Sequence, residues 1–340
     1  MDYSIDFFLN ILRRSLFHPS FASLFLAFIF VQGIPVNSYL FIWSSVYTGS
    51  VFFVWFLGYM TKVSRNGRKS RKIDWDDEIV LITGGARGIG LLLAETLSIK
   101  NVTIVVLDIR KPEIEHPNIV FFECDVSKYD QVQKVAKEII AEVGHPTIII
   151  NNAGVVKGKT ILDESEEEIL STIGVNLLAP FWITKTFLPE MVAKNHGHVV
   201  NISSALGFSS VAQIADYCAT KSGLLAFHEA LRHEINARYN ASNVRCTLVC
   251  PGQVETGMFD GVSYKYPFFT PTIAPIEVVK KIITALDKNE TSDILTPYYV
   301  HLMPLLRALP GFINDLGYSI MGVDDAMKTW NDTRSKPKNQ

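Results

Sequence analysis

Between Ser15 and Thr61 the chain carries no Asp, Glu, Lys or Arg, a run of 47 residues. A bilayer-spanning helix needs about 20 apolar residues, so the run is about two spans long. Such a stretch is hard to bury in a small soluble domain, and it predicts a membrane anchor over residues 1–61 with segments at about 15–34 and 38–60. The break falls at Gly33-Ile34-Pro35-Val36-Asn37, residues that favour a turn. Arg13 and Arg14 flank one outer end; Lys62, Arg65, Arg68, Lys69, Arg71 and Lys72 flank the other. The positive-inside tendency therefore favours a hairpin with both ends in the cytoplasm. The first segment is short enough to lie in the interface while only the second spans. A cleaved signal peptide is disfavoured, because Asp2 and Asp6 spoil the basic start and no small-x-small cleavage site stands out.

The formal net charge of −2 hides an asymmetry: residues 1–72 carry eight basic and two acidic residues, the remainder 24 basic and 32 acidic. Two physically different pieces are joined through a basic linker at 62–75. With near-zero net charge and 48% hydrophobic residues the chain is not disordered, and it lacks the basic excess that a nucleic-acid binder should show. Cys124, Cys218, Cys246 and Cys250 are too few for a disulfide scaffold and lack paired metal-ligand spacing, so no metal is expected and a reducing compartment is. Sequon-like triplets occur at Asn101, Asn201, Asn240, Asn289 and Asn331. Asn101 and Asn201 fall beside or inside predicted core strands, where a glycan would not fit; chance matches suit a cytoplasm-facing domain.

From Asp74 onward short apolar runs alternate with helical patterns. Strands are predicted at 79–82, 102–107, 119–122, 147–150, 198–202, 244–249 and 293–295. Helices are predicted at 91–98, 129–143, within 164–194, and at 215–239 and 275–287. Continuous apolar strands separated by helices predict an α/β, Rossmann-like, doubly wound parallel sheet of about seven strands, with ligands at the strands' carboxyl ends. A polar tail runs from Asn331 to Gln340.

Thr83-Gly84-Gly85-Ala86-Arg87-Gly88-Ile89-Gly90 follows the first strand and opens a helix. Glycines there allow a tight turn and close approach of a pyrophosphate, whose charge is met by helix N-terminal amides. Asp108 ends the second strand, 18 residues after Gly90. A carboxylate at that place accepts ribose hydroxyls of NAD and repels the 2′-phosphate of NADP. Arg87 and Arg110 argue the other way, since either could pair with that phosphate; NAD(H) is favoured over NADP(H).

Tyr217 and Lys221 stand four apart on a predicted helix and share one face, and Ser204 lies 13 residues before Tyr217, just past the fifth strand. Tyr-x-x-x-Lys alone is a weak signal. The set of three has a chemical logic. Oxidising an alcohol requires a base for the hydroxyl proton, and tyrosine, ordinarily near 10, is a poor one at neutral pH. A neighbouring ammonium favours the phenolate, and a serine hydroxyl can hold the substrate oxygen.

With these motifs and Asp125-Val126, Asn151-Asn152-Ala153-Gly154, Asn176, and Pro251-Gly252 with Thr256, residues 76–300 resemble the short-chain dehydrogenase/reductase family. The resemblance implies Asn176, Ser204, Tyr217 and Lys221 as a catalytic tetrad, with Asn176 holding a water that links Lys221 to solvent. It implies a cofactor site of Gly84, Arg87, Gly88, Ile89, Gly90, Asp108, Asp125, Val126, Asn152, Gly154, Tyr217, Lys221, Pro251, Gly252, Val254 and Thr256. Asp125 would contact adenine and Thr256 the carboxamide, although singly Asp125 could be a cap and Asn176 a buried helix polar group. A narrower likeness, carried by 195–200, Asp216-Tyr217-Cys218-Ala219-Thr220-Lys221, 227–232 and Thr256-Gly257-Met258, is to the membrane-anchored retinol and 17-beta-hydroxysteroid dehydrogenase branch. That branch acts on lipophilic alcohols or ketones at the endoplasmic reticulum or lipid droplets, and the family commonly pairs subunits through helices here at 176–195 and 215–239. The long two-part anchor is a departure from it.

Met258, Phe259, Tyr264, Tyr266, Phe268 and Phe269 precede Pro275, and the segment is expected to cover a lipophilic substrate such as a retinoid, steroid or long-chain alcohol. Within the 301–340 extension, Pro304 to Met321 is expected to seal the substrate entrance or to lie on the membrane. The leading reading is an NAD(P)-dependent oxidoreductase interconverting a hydroxyl and a carbonyl. The alternatives are an NADPH-dependent lipid ketone reductase, and a non-catalytic, cofactor-binding protein of a membrane or lipid-droplet surface.

Overall fold

The computed structural model describes residues 4–67, 72–113, 116–262 and 264–330. Asp2, the basic residues Arg68, Lys69 and Arg71, and the tail from Asn331 lie outside them. The chain divides into two compact units, Met1–Ser70 and Arg71–Gln340.

The first unit holds three helices, α1 (Ile5–Arg14), α2 (Pro19–Val31) and α3 (Tyr39–Asn66). By length and composition α3 suffices to cross a membrane, and α1 with α2 passes the same test as one span bent by 56°. Pro19 sets the start of α2, where a missing N–H costs nothing. The α2–α3 seam is built from small and polar residues: Thr48 Oγ1 donates to the Ala22 carbonyl at 3.1 Å, and Ala22 and Thr48 are buried. Trp55 Nε1 donates to the Phe17 carbonyl at 2.9 Å. Helix α1 was not legible as a helix among the sequence signals. Its polar residues Asp6, Asn10, Arg13 and Arg14 fall at i, i+4, i+7 and i+8, leaving the rest apolar.

In the second unit seven strands form one parallel sheet in the order β3-β2-β1-β4-β5-β6-β7. They are β1 (Ile79–Thr83), β2 (Thr103–Asp108), β3 (Ile119–Glu123), β4 (Ile148–Asn151), β5 (Gly197–Ile202), β6 (Val244–Pro251) and β7 (Ser292–Thr296). The helices between them are α4 (Gly88–Ser98), α5 (Tyr129–Glu142), α6 (Glu166–Ile173), α7 (Ala179–Lys194), α8 (Ala215–Ala237) and α9 (Pro275–Asp287). Alternation along the strands makes two cores. Val80, Ile82, Ile104 and Ile150 pack with Leu93 and Leu97 of α4 and Val279 and Ile282 of α9. Leu81, Val105, Ile149 and Val199 pack on the other face with Val132 and Ile139 of α5, Ile183 and Phe187 of α7, and Ile235 of α8. Strand order reverses between β1 and β4, and crossovers leave opposite faces there, so a crevice opens at their carboxyl ends.

Two shorter helices, α10 (Met303–Leu306) and α11 (Gly311–Met321), follow β7, and a 3₁₀ segment at Val323–Thr329 closes the described chain. Asn201 is buried within β5, as expected. Asn101 is exposed in a left-handed turn at φ 61, so burial does not exclude its triplet; the strand begins one residue later than the apolar run suggests.

His198 of β5 is buried, with Nε2 2.8 Å from Thr247 Oγ1, and its environment includes Arg245 and His228. Burial first, then these neighbours, pushes the imidazole down from its ordinary 6.5 to about 3. The unfolded chain therefore binds a proton that the folded chain refuses as pH falls below about 6.5. Stability from this group is present above that pH and is lost on the way down to about 3, at up to about 1.4 kcal/mol per pH unit. His198→Gln should flatten the acid limb of a stability-against-pH curve measured by thermal melting; an unchanged limb would refute the assignment.

Candidate active site

The crevice is a cavity of about 920 Å³ that runs from Asp108 past the glycine-rich turn to Ser204, Tyr217 and Lys221. Every residue expected in the site lines it except Gly90 and Asn176.

Gly90 and Asn176 act from behind. A Cβ on Gly90 would stand 2.3 Å from the Gly84 carbonyl oxygen and 2.4 Å from Asn152 Nδ2, so only glycine lets the first turn of α4 close on the loop. Asn152 Nδ2 donates to the carbonyls of Thr83 and Gly84, both at 2.9 Å. The Asn152 amide thus serves as a clasp on the turn besides lining the cavity. Thr83, which the motif reading did not single out, completes the clasp: its Oγ1 accepts from the N–H groups of Asn152 and Ala153 at 3.0 and 3.1 Å. Gly88 and Ile89 then begin α4, with its free N–H groups turned to the cavity and Arg87 at the N-cap.

Asp108 sits at the end of β2 with its carboxylate already engaged. Oδ2 accepts from the Ala86 N–H at 3.0 Å and Oδ1 from the Arg110 N–H at 3.2 Å. It ties the glycine turn to the strand end, and two carboxylate oxygens retain lone pairs for hydroxyl donors. Asp125 takes the cap geometry that its single-residue reading allowed: Oδ1 accepts from the Ser127 N–H at 3.0 Å and the Ser127 hydroxyl at 2.6 Å. Val126 beside it is buried. On the opposite wall the Gly252 N–H donates to the Thr296 carbonyl at 2.7 Å and fixes the Pro251-Gly252 turn. Val254 bridges to Ile273, which aims the segment carrying Thr256 back over α4.

Tyr217, Lys221 and Ser204 are all buried. Lys221 Nζ donates to the Ile202 carbonyl at 2.9 Å and stands 5.6 Å from the Tyr217 ring centroid. Burial pushes the ammonium down from 10.5 to about 8, so it is charged at neutral pH. Ser204 Oγ accepts from the Leu206 N–H at 3.1 Å, which leaves its own proton to donate into the cavity. Asn176 lies in a π-turn (Gly174–Leu178) between α6 and α7. Its Oδ1 accepts from the Val155 N–H at 2.8 Å, and Nδ2 donates to the Val155 carbonyl at 2.9 Å and to Thr220 Oγ1 at 3.3 Å. The amide locks the loop after β4 onto α8, and a Cβ on Gly154 would stand within 4 Å of both Asn176 Oδ1 and Lys221 Nζ.

The aromatic cover differs from expectation. Phe259 meets the Tyr217 ring edge-on at 5.7 Å, and Met258 and Tyr264 also face the site. Tyr266, Phe268 and Phe269 are exposed and do not line the cavity. Their place is taken by the end of the chain. Ala326 and Met327, both buried, line a 40 Å³ recess beside Ser204. Trp330 Nε1 donates to the Met258 carbonyl at 3.0 Å, and its ring lies so close over Gly158 that a Cβ there would come within 2.3 Å of it. The sealing residues therefore follow the expected 304–321 segment. In that segment Phe312, Leu316 and Ile320 of α11 are exposed, while Arg307 holds the Gly207 and Phe208 carbonyls at 3.0 and 2.9 Å. An isolated tryptophan one residue before a polar tail was the signal that could have placed this strap.

The arrangement fits a dinucleotide. The glycine turn and the α4 N-terminus offer a backbone cradle for phosphates, Asp108 an acceptor for ribose hydroxyls, and Tyr217 with Lys221 the far end.

A profile described as short chain dehydrogenase matches residues 78–266. Retinol dehydrogenase 10-B of Danio rerio is 33% identical over 319 residues, 84% of this chain and 90% of that one. Epidermal retinol dehydrogenase 2 of Mus musculus is 36% identical over 242 residues, 68% and 78% of the two chains. Among solved structures, a short-chain dehydrogenase from Streptomyces avermitilis superposes with a TM-score of 0.58 at 22% identity, covering 73% of this chain and 96% of that one. A 4-hydroxyisoleucine dehydrogenase complexed with NADH gives 0.58 at 21% identity, covering 64% and 96%. Profile, relatives and fold agree with the geometry: the chain belongs to the short-chain dehydrogenase/reductase family, resembles its retinol dehydrogenase branch, and is an NAD(P)-dependent oxidoreductase of CH–OH groups.

Proposed function

We propose that the enzyme interconverts a hydroxyl and a carbonyl on a lipophilic substrate, a retinoid, steroid or long-chain alcohol, with Tyr217 as general acid/base. The observation that carries this reading is the buried Lys221 ammonium beside the Tyr217 ring, at the end of the cavity walled by Phe259 and Met258. The nicotinamide cofactor, when bound, takes up or gives back the hydride. The chain's own residues manage the proton and the pose. Ser204 donates to the substrate oxygen, and Tyr217 removes the hydroxyl proton on oxidation or returns it on reduction. The Lys221 charge favours the phenolate, and Ile202 and Asn176 hold the lysine's surroundings in place. As pH rises through about 8 the ammonium is lost and with it that support. Exchange of the proton with solvent through a water held at Asn176 is part of the same reading.

Met258 and Phe259 give the large cavity an apolar wall, which suits a lipophilic substrate, and the relatives' names as retinol dehydrogenases support the class. We assign α3, with or without the bent α1–α2 pair, as a membrane anchor on an endoplasmic reticulum or lipid-droplet surface, with the catalytic unit, residues 76–300 and their extension, on the cytoplasmic side. All four cysteines are free and buried, which fits that compartment. A homodimer through α7 and α8 would cover Leu178 and Phe181, both exposed.

Two experiments test the site. Tyr217→Phe should lower kcat by about 10²–10⁴-fold and leave cofactor affinity, read by protein fluorescence, nearly unchanged; a fully active variant would overturn the mechanism. Asp108 favours NAD(H). Asp108→Asn keeps an acceptor for the Ala86 N–H while removing the charge. It should weaken NAD by about 10- to 100-fold and narrow the gap to NADP. Preference for NADP in the unmodified enzyme would shift the assignment to Arg87 and Arg110, and with it to a lipid ketone reductase.

A further inference from the structure

A second acidic element lies directly beneath Tyr217. Asp216, in the first turn of α8, is 6% exposed, and its Oδ1 accepts the Tyr217 N–H at 2.6 Å. Its Oδ2 and both carboxyl oxygens of Glu164 are shielded from solvent, and no N–H or O–H of the described residues reaches them. What faces Glu164 is Asp216 itself, the two shielded carboxyls close enough to interact directly. Two ionised carboxylates have only acceptors to offer each other, and with the oxygens shielded from solvent they repel. The contact makes physical sense only with a proton in it.

We propose that Glu164 and Asp216 share one proton, and that this proton positions the first turn of α8 and thereby the Tyr217 side chain. Glu164 ends the loop before α6, which packs against α8, so the shared proton joins the segment that borders the cavity to the helix that carries the catalytic pair. The charged groups around it are few. Glu168 of α6 and Lys159 of the preceding loop face Glu164, and the Lys159 ammonium is engaged by Glu168 at 2.7 Å. On α8 the Cys218 thiol is the titratable neighbour of Asp216, and burial keeps it neutral. None of these supplies a donor to the pair.

Burial, then Asp216, raises the Glu164 carboxyl from 4.5 to about 7. The folded chain thus holds a proton that the unfolded chain has released between those values. Stability is greatest below the lower value and falls as pH rises to about 7. Above it the two anions push the start of α8 away from the loop. Glu164 is a positioning residue in this account, since it touches Tyr217 only through Asp216. The consequence for catalysis rests on the role proposed for Tyr217; the shared proton does not.

The test uses the full chain in detergent micelles. Infrared titration should show a protonated-carboxyl band that persists on the acid side of about 7 and vanishes above it. Glu164→Gln, whose amide can donate to Asp216, should abolish that band and flatten the decline of the melting temperature over the same interval. Asp216→Asn removes the same band from the other side, so misfolding of one variant does not remove the test. In activity profiles kcat/KM of the unmodified enzyme should fall through about 7 toward a tenfold loss per pH unit, and Glu164→Gln should lose that limb. A band unchanged by both substitutions, or no band at acid pH in the unmodified chain, overturns the shared proton. Coincident activity profiles overturn its effect on Tyr217. Absence of turnover in both proteins with the infrared titration intact would support the shared proton and count against the Tyr217 reading instead.

Discussion

The clasp between β1 and β4 is the contact on which the site depends. At that seam the strand order reverses and the flanking helices leave on opposite faces, so the strand ends form the floor of the crevice. Asn152 and Thr83 tie those ends together by four hydrogen bonds between 2.9 and 3.1 Å. Thr83 is buried, and its hydroxyl left unpaired there would cost about 1–3 kcal/mol, which keeps the clasp closed. With it closed, the glycine turn presents the α4 amides to one end of the cavity. The loop after Asn152 delivers Gly154 and Val155 to Asn176 and Lys221 at the other end.

A buried cation is the second constraint. Lys221 sits among apolar side chains and carbonyls, and the Ile202 carbonyl is its hydrogen-bond acceptor. Burying a charge is unfavourable unless something uses it. Here the ammonium stands 5.6 Å from the Tyr217 ring centroid, and the Asn176 lock, the π-turn and the Ser203 hydroxyl on the Lys221 carbonyl at 2.9 Å keep the helix from relaxing away.

Local patterns made most of the fold legible. Apolar runs such as Val80–Ile82 and Ile148–Ile150 are buried on both faces of a parallel sheet, and the helices between them follow ordinary periodicity. Ser204, Tyr217 and Lys221, which one motif singles out, come together along one cavity. The site was not legible where partners are far apart in the chain. Glu164 and Asp216 stand 52 residues apart, Trp330 and Met258 72, and neither pair has a spacing that announces it. Asp125 and Asn152 line the expected cavity yet spend their hydrogen bonds on the loops that build it. The aromatic segment misled because composition does not say which face a loop presents: Phe259 turns inward while Phe268 and Phe269 remain exposed. Helix α1 escaped because its signal is a four-residue polar stripe in a short segment.

The central claim is that this catalytic pair works on a hydroxyl or carbonyl of a lipid. The most direct measurement is turnover by the detergent-solubilised chain across retinol, steroid and fatty alcohols, and the matching carbonyls, with NAD(H) and with NADP(H) in turn. The account predicts NAD-linked turnover of one lipid class, with polar sugars and amino-acid alcohols inert. Cofactor binding with no turnover of any lipid in either direction, or efficient turnover of a polar alcohol alone, would contradict it.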